Sequence, residues 1–80
     1  MHYAYILQSV SHPGRFYYGS TSDLKNRIAV HNAGGNVSTA PFRPWNLAWY
    51  GGFSCKQTAT DFERYLKTAS GKAFARKRLL

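Results

Sequence analysis

Cysteine is almost absent: Cys55 stands alone, which excludes an internal disulfide and a cysteine-rich zinc module and points to a reducing setting. With no second thiol or partner base nearby in sequence, Cys55 reads as a small, semi-buried strand residue. Long apolar runs are missing too. Nothing approaches the roughly 20 residues of a membrane span, and strand-like sequence follows Met1 with no signal peptide, so a soluble protein of the cytoplasm is expected. The glycines match neither a P-loop nor a dinucleotide fingerprint, His2, His12 and His31 lack paired metal-ligand spacing, and no Gly-x-Ser-x-Gly elbow occurs. Acids are scarce: three Asp and Glu face eleven Lys and Arg, a formal net charge of +8. That excess points to a polyanionic partner. Because the basic residues are spread along the chain and do not form one amphipathic helix, nucleic acid is favoured over anionic membrane.

What the chain has in abundance is aromatic bulk: six Tyr, five Phe and two Trp among 80 residues that are 44% hydrophobic. Disordered chains are poor in such residues, so a folded globule is expected, with one core and a single domain over residues 1–80. Tyr3 to Leu7 reads as a strand with Tyr3, Tyr5 and Leu7 on one face and Ala4 and Ile6 on the other. Ser11 to Gly14 turn the chain. Phe16 to Gly19 returns as an antiparallel partner, which lets Tyr5 and Tyr17 approach each other. Cap hydroxyls at Ser20, Thr21 and Ser22, Asp23 at the positive end and the Gly34–Gly35 pair delimit a helix from about Asp23 to Ala33. Leu24 and Ile28 then face the sheet, and Arg27 and His31 form the neighbouring stripe.

Asn36 to Asn46, with Pro41 and Pro44, reads as a long loop whose contact groups are Arg43 and Trp45. Leu47 to Phe53 is a third strand, in which Gly51 and Gly52 suggest a bulge or a close approach of other backbone. A second helix is expected over Ala59 to Ala69, capped by Thr58, with Ala59, Phe62, Leu66 and Ala69 as its apolar stripe. Ser70 and Gly71 break the chain before a short basic helix carrying Lys72, Phe74, Arg76, Lys77 and Arg78. The order ββαβαα predicts an α+β fold, a small three-stranded antiparallel sheet flanked by helices.

Among residues that can carry chemistry, Glu63 departs most from a bland pattern. It lies four residues after Ala59 and three before Leu66, a carboxylate at the apolar stripe. Such a group must be paired, hydrated or coordinating a cation. A structural ion pair with one of the many basic residues is one reading; a lone carboxylate holding Mg²⁺ with waters and phosphate oxygens is the other. Arg27 offers a planar fork that grips phosphate oxygens, although a charged helix face is usually just solvated. His31 can position or protonate a group near neutral pH, or simply cap carbonyls at a helix end. Tyr3, Tyr5, Tyr17, Tyr18, Tyr50 and Tyr65 all need partners for their hydroxyls, and the residues alone do not select which face a reacting water.

Taken in order, these segments resemble the GIY-YIG nuclease superfamily. Tyr3 to Leu7 is similar to its first signature in a Tyr-x-Tyr-Ile-Leu form, and Tyr17, Tyr18 and Gly19 to its second. Tyr18 to Asn32 resembles the family's arginine-bearing helix with a following His-Asn pair, as in small single-domain bacterial members. Phe42 to Tyr50, Phe62 to Lys67 and Ser70 to Leu79 continue the match over essentially the whole chain. Tyr3 stands where the first motif has glycine, and no clear counterpart of the family's distal asparagine follows Glu63.

The resemblance implies a divalent-metal-dependent endonuclease that hydrolyses phosphodiester bonds. The implied catalytic residues are Tyr5, Tyr17, Arg27, Glu63 and, as a weaker candidate, His31. Glu63 holds Mg²⁺ or Mn²⁺, Tyr5 helps activate water, and Arg27 stabilises developing charge. Arg43, Trp45, Lys72, Arg76, Lys77 and Arg78 are the expected nucleic-acid contacts, with DNA a better candidate than RNA and DNA repair or recombination the expected setting. A nucleic-acid-binding domain of the same fold with little cleavage is the alternative, and a structural module whose aromatics serve only the core is a third.

Overall fold

A computed structural model describes residues 1–80. Three strands, β1 (His2–Ser9), β2 (Phe16–Thr21) and β3 (Trp45–Phe53), form one antiparallel sheet in the order β2-β1-β3. The helices are α1 (Leu24–Asn32), α2 (Lys56–Leu66) and α3 (Ala69–Arg78), and a 3-10 turn spans Ala40–Phe42. This is the expected ββαβαα order. None of the helices is long and apolar enough to cross a membrane.

The alternation of β1 divides the core in two. Tyr5 and Leu7 join Trp45 on the α1 face, with Tyr17, Leu24, Ile28 and Phe42 against them. Ile6 joins Leu66 and Ala75 on the α2/α3 face, with Phe16, Tyr18, Trp49 and Phe62 around it. The central strand is thus covered on both sides, and Ala4, Ile6 and Leu7 have no exposed surface.

Four local expectations need correction. The irregularity of β3 lies between the pairs Ile6–Trp49 and Leu7–Leu47, so Ala48 is the extra residue. Gly51 and Gly52 instead give room to the Trp49 ring and the Met1 side chain. Helix α2 starts at Lys56, before Thr58, with Cys55 as an N-cap that makes no side-chain hydrogen bond; Cys55 is exposed, not semi-buried. Ser70 and Gly71 do not break the chain, because Thr68 Oγ1 accepts from the Gly71 N–H and starts α3 ahead of them. Gly71 is required there by proximity: a Cβ would overlap the Tyr65 carbonyl at the end of α2.

Candidate active site

Strand pairing places the first tyrosine. Tyr5 lies opposite Gly19 and Leu7 opposite Tyr17, so the two tyrosines are diagonal neighbours on one face. Their ring centroids are 6.3 Å apart. Gly19 is buried, and the space its Cβ would fill is taken by the Tyr5 hydroxyl. A side chain at position 19 cannot coexist with this placement of Tyr5.

Helix α1 brings the next groups. Asp23 caps it, with Oδ1 accepting from the Asn26 N–H at 3.1 Å. From that start Leu24, Ile28 and His31 recur at helical spacing towards the sheet. His31 is fully buried, not the exposed helix-end group that was one reading of the sequence. Its ring stands 4.7 Å from that of Tyr17, its Nε2 lies 3.1 Å from the Tyr5 hydroxyl, and its Nδ1 lies 2.8 Å from Thr39 Oγ1. Arg27, one turn earlier, is exposed. Burial, then the Arg27 charge, pushes the His31 proton affinity below the ordinary histidine value. Tyr5 is pushed the other way: burial and the nearby Tyr17 and Glu63 raise its pKa, with Arg27 opposing. Both shifts favour the neutral forms of the two groups.

Glu63 arrives from the other face of the sheet. Tyr18 and Ser20 point towards α2, and Ser20 donates to Glu63 Oε1 at 2.6 Å while Lys67 Nζ lies 2.6 Å from Oε2. The Glu63 side chain is 17% exposed and that of Lys67 52%. Partial burial pushes the carboxyl up, but the Lys67 and Ser20 hydrogen bonds and the Lys67 and Arg64 charges outweigh it, so Glu63 lies below the ordinary carboxylate range and is ionised. The ion pair anticipated as one reading of Glu63 is therefore present, though with a partner that is half in solvent. β2 is an edge strand, with Tyr5, Tyr17 and His31 on one side of it and Glu63 on the other, and the Arg27 and Glu63 charges both bear on the Tyr5 hydroxyl.

No group of three His, Cys, Asp or Glu side chains converges anywhere in the structure. A caged structural metal does not fit these residues. An ion that takes one carboxylate and completes its shell with water and phosphate oxygens does fit Glu63, which is ionised and partly open.

The expected nucleic-acid contacts divide. Trp45 is a correction: it is 4% exposed, with Nε1 donating to the Thr39 carbonyl at 2.9 Å, so its ring belongs to the core and cannot stack on a base. Proline neighbours made its segment look like an open loop, but β3 begins at this residue. Arg43 is exposed and lies across Gly34, with Nε donating to the Ala40 carbonyl. Lys72 and Arg76 share a groove of about 370 Å³ with Phe16, Tyr18 and Leu80, and Lys72 Nζ stands 5.9 Å from the Tyr18 ring centroid. Lys77 and Arg78 are exposed on the last turn of α3.

Two residues that sequence reasoning missed complete the surroundings. Asn32 donates from Nδ2 to the Trp45 carbonyl at 3.2 Å and accepts the Trp45 N–H at 2.6 Å, tying the end of α1 to the start of β3. Thr39 is the buried partner of His31. The only signal for Asn32 was its place in a His-Asn pair; Thr39 had none.

An edge strand flanked by a tyrosine pair and a histidine on one side and a glutamate on the other marks a small α+β domain. The chain belongs to the GIY-YIG family: the model of the GIY-YIG catalytic domain matches residues 1–78. It is 36% identical over 67 residues to a UPF0213 protein of Streptococcus pneumoniae serotype 4, covering 82% of this chain and 68% of that one. A UPF0213 protein of Streptococcus pyogenes serotype M3 is 38% identical over 66 residues, 81% of this chain and 70% of the relative. Similarity extends to the structure-specific endonuclease subunit SLX1 of Scheffersomyces stipitis, 45% identical over 67 residues, which are 74% of this chain and 20% of that protein.

Proposed function

We propose that this chain is a divalent-metal-dependent endonuclease that hydrolyses phosphodiester bonds in DNA, with a preference for structure over sequence. The observation that carries the reading is the contact of Tyr5, Tyr17 and His31 on one face of the sheet, with Arg27 one turn before His31, and of Glu63 with Ser20 of β2 on the other. Similarity to a structure-specific endonuclease subunit supports the substrate class, and a net charge of +8 supports a polyanion.

In this reading Tyr5, only 1% exposed, meets nothing larger than water at its hydroxyl. As that water attacks phosphorus and the P–O bond to the leaving strand breaks, its proton passes to the Tyr5 oxygen and the proton of Tyr5 to His31 Nε2, while the leaving oxygen takes a proton from solvent. Tyr17, packed on the imidazole, holds the histidine ring in place. Arg27, open to solvent, receives the negative charge that grows on the phosphate oxygens. Glu63 would hold the metal in place of the half-exposed Lys67, and the ion would supply further positive charge to the phosphate. Lys72 and Arg76 continue the path for the backbone along β2. DNA repair or recombination is the setting such an activity serves.

The test is an incubation with nicked, flapped, branched and plain duplex DNA in Mg²⁺, beside a chelator control and Glu63→Gln. Wild type should cut at least one form only with metal. Glu63→Gln should stay folded and bound while cutting vanishes. A folded variant that cuts at the wild-type rate removes Glu63 from the site, and binding without any cutting by wild type leaves a nucleic-acid-binding domain.

A further inference from the structure

The histidine at the centre of this site has two ring nitrogens, and each is committed to a hydroxyl. Tyr5 Oη is 3.1 Å from Nε2, Thr39 Oγ1 is 2.8 Å from Nδ1, and Thr39 Oγ1 is also 3.3 Å from the Asn36 carbonyl oxygen. Counting protons decides the direction of the chain. A neutral imidazole carries one N–H, and each hydroxyl has one hydrogen to give. If Thr39 donates to Asn36, His31 Nδ1–H donates to Thr39, and Nε2 accepts from Tyr5; all three hydrogens have acceptors. If Thr39 instead donates to Nδ1, then Nε2 carries the proton and donates to Tyr5, the Tyr5 O–H has no protein acceptor, and the Thr39–Asn36 hydrogen bond is given up. Tyr5 makes no hydrogen bond other than that with His31, and every buried polar side-chain atom is otherwise satisfied. The first arrangement keeps every one of these hydrogens on a protein acceptor, and a buried polar group left without one is costly, so the partners favour it.

We infer that Thr39 is a positioning residue of the site: its hydroxyl, donating to the Asn36 carbonyl, holds His31 in the Nδ1–H tautomer and leaves Nε2 bare to take the Tyr5 proton. The inference rests on the reading of Tyr5 and His31 as the proton path. Thr39 is itself held. Its carbonyl accepts Trp45 Nε1–H at 2.9 Å, its N–H reaches the Asn36 carbonyl at 3.2 Å, and it is 1% exposed. The loop between α1 and β3, expected to supply surface contacts, thus supplies the backing of the histidine. The groups facing His31 are Tyr5 from β1, Tyr17 from β2 and Arg27 from its own helix; none is an acid that competes for the Nδ1 proton. A base held in the wrong tautomer loses most of its catalytic value, because the lone pair points away from the proton it must receive.

The tautomer can be read directly from long-range proton–nitrogen NMR spectra of the ¹⁵N-labelled protein at a pH where His31 is neutral. Wild type should show a protonated Nδ1 and a bare Nε2. Thr39→Ser should keep that pattern and cut DNA at nearly the wild-type rate. Thr39→Val should shift the tautomer balance and lower kcat by at least about tenfold with KM unchanged. A wild-type spectrum with a protonated Nε2 overturns the inference, and so does a folded Thr39→Val that keeps both tautomer and kcat. If Thr39→Val does not fold, the wild-type spectrum and the serine variant still decide. Failure of wild type to cut DNA defeats the nuclease reading, while the spectrum independently reports whether Thr39 holds the ring.

Discussion

The two faces of the sheet are made of different material. Beneath α2 and α3 the centre is Ile6, Leu66 and Ala75, with no exposed surface and no polar group to satisfy. Beneath α1, buried Tyr5, His31 and Thr39 sit among Leu7 and Trp45, joined by hydrogen bonds. Apolar burial is non-directional and tolerates small shifts, whereas a buried polar chain permits one geometry and is costly if half made. The comparison teaches that the α2 side is apolar at its centre and carries the Glu63 carboxylate only at its rim, whereas the α1 side carries polar groups in its core.

Substitutions can break that division or sharpen it. Beyond Glu63→Gln, the largest effect should come from Arg27→Ala, which should lower turnover at least about a hundredfold through lost charge stabilisation. Its melting temperature should barely move, since the side chain is exposed, and lysine should rescue only in part because it lacks the guanidinium fork. Equal losses in DNA affinity and turnover would make Arg27 an ordinary phosphate contact. On the other face, Leu66→Ala should cost roughly 3 kcal/mol of stability through an unfilled cavity, with turnover per folded molecule unchanged. A drop in that turnover, measured well below the melting temperature, would show that the faces are coupled.

Smaller still is the pH response of the polar face. His31 is held below the ordinary histidine value of 6.5, chiefly by burial. The unfolded chain therefore takes up a proton that the folded chain refuses, and the stability that His31 contributes is complete above that pH and is lost as pH falls towards the folded value. The melting temperature should decline over this window in wild type and decline less in His31→Gln. Glu63, also depressed, acts only below its ordinary 4.5, so a decline that begins between 6.5 and 4.5 does not come from Glu63. An identical slope in both proteins would mean that His31 is not the group responsible.

The apolar face was the legible one. Ala59, Phe62 and Leu66 recur at helical spacing, and Tyr5, Ile6 and Leu7 alternate as strand residues do, so the sheet and α2 followed from periodicity. The start of α2 was misplaced because it has no capping hydroxyl to announce it, and α3 because a glycine that reads as a break is there to let two helices touch. The polar face was legible only in part. Glu63 stood out as a carboxylate on an apolar stripe and Tyr5, Tyr17, Arg27 and His31 through resemblance, while the contact of Tyr5 with Tyr17 and His31 depends on strand pairing and on how α1 packs. Trp45 was misread because two prolines nearby made a core residue look exposed. Thr39 was invisible, since a threonine in a polar loop carries no pattern until the histidine it backs is in place.

The amide of Asn32 has a consequence for timing. It exchanges two hydrogen bonds with the backbone of Trp45, as a strand would, and so makes the helix end an honorary rung of the ladder. During synthesis Tyr5, Tyr17 and His31 are all translated before Trp45. Until β3 has been added, Asn32 has nothing to grip and Thr39 has no indole to hold it, so the imidazole is free to wander. The site is expected to assemble last, as a seal on a finished sheet, leaving the nascent or partly unfolded chain with cationic charge but no aligned chemistry to turn on the nucleic acid around it.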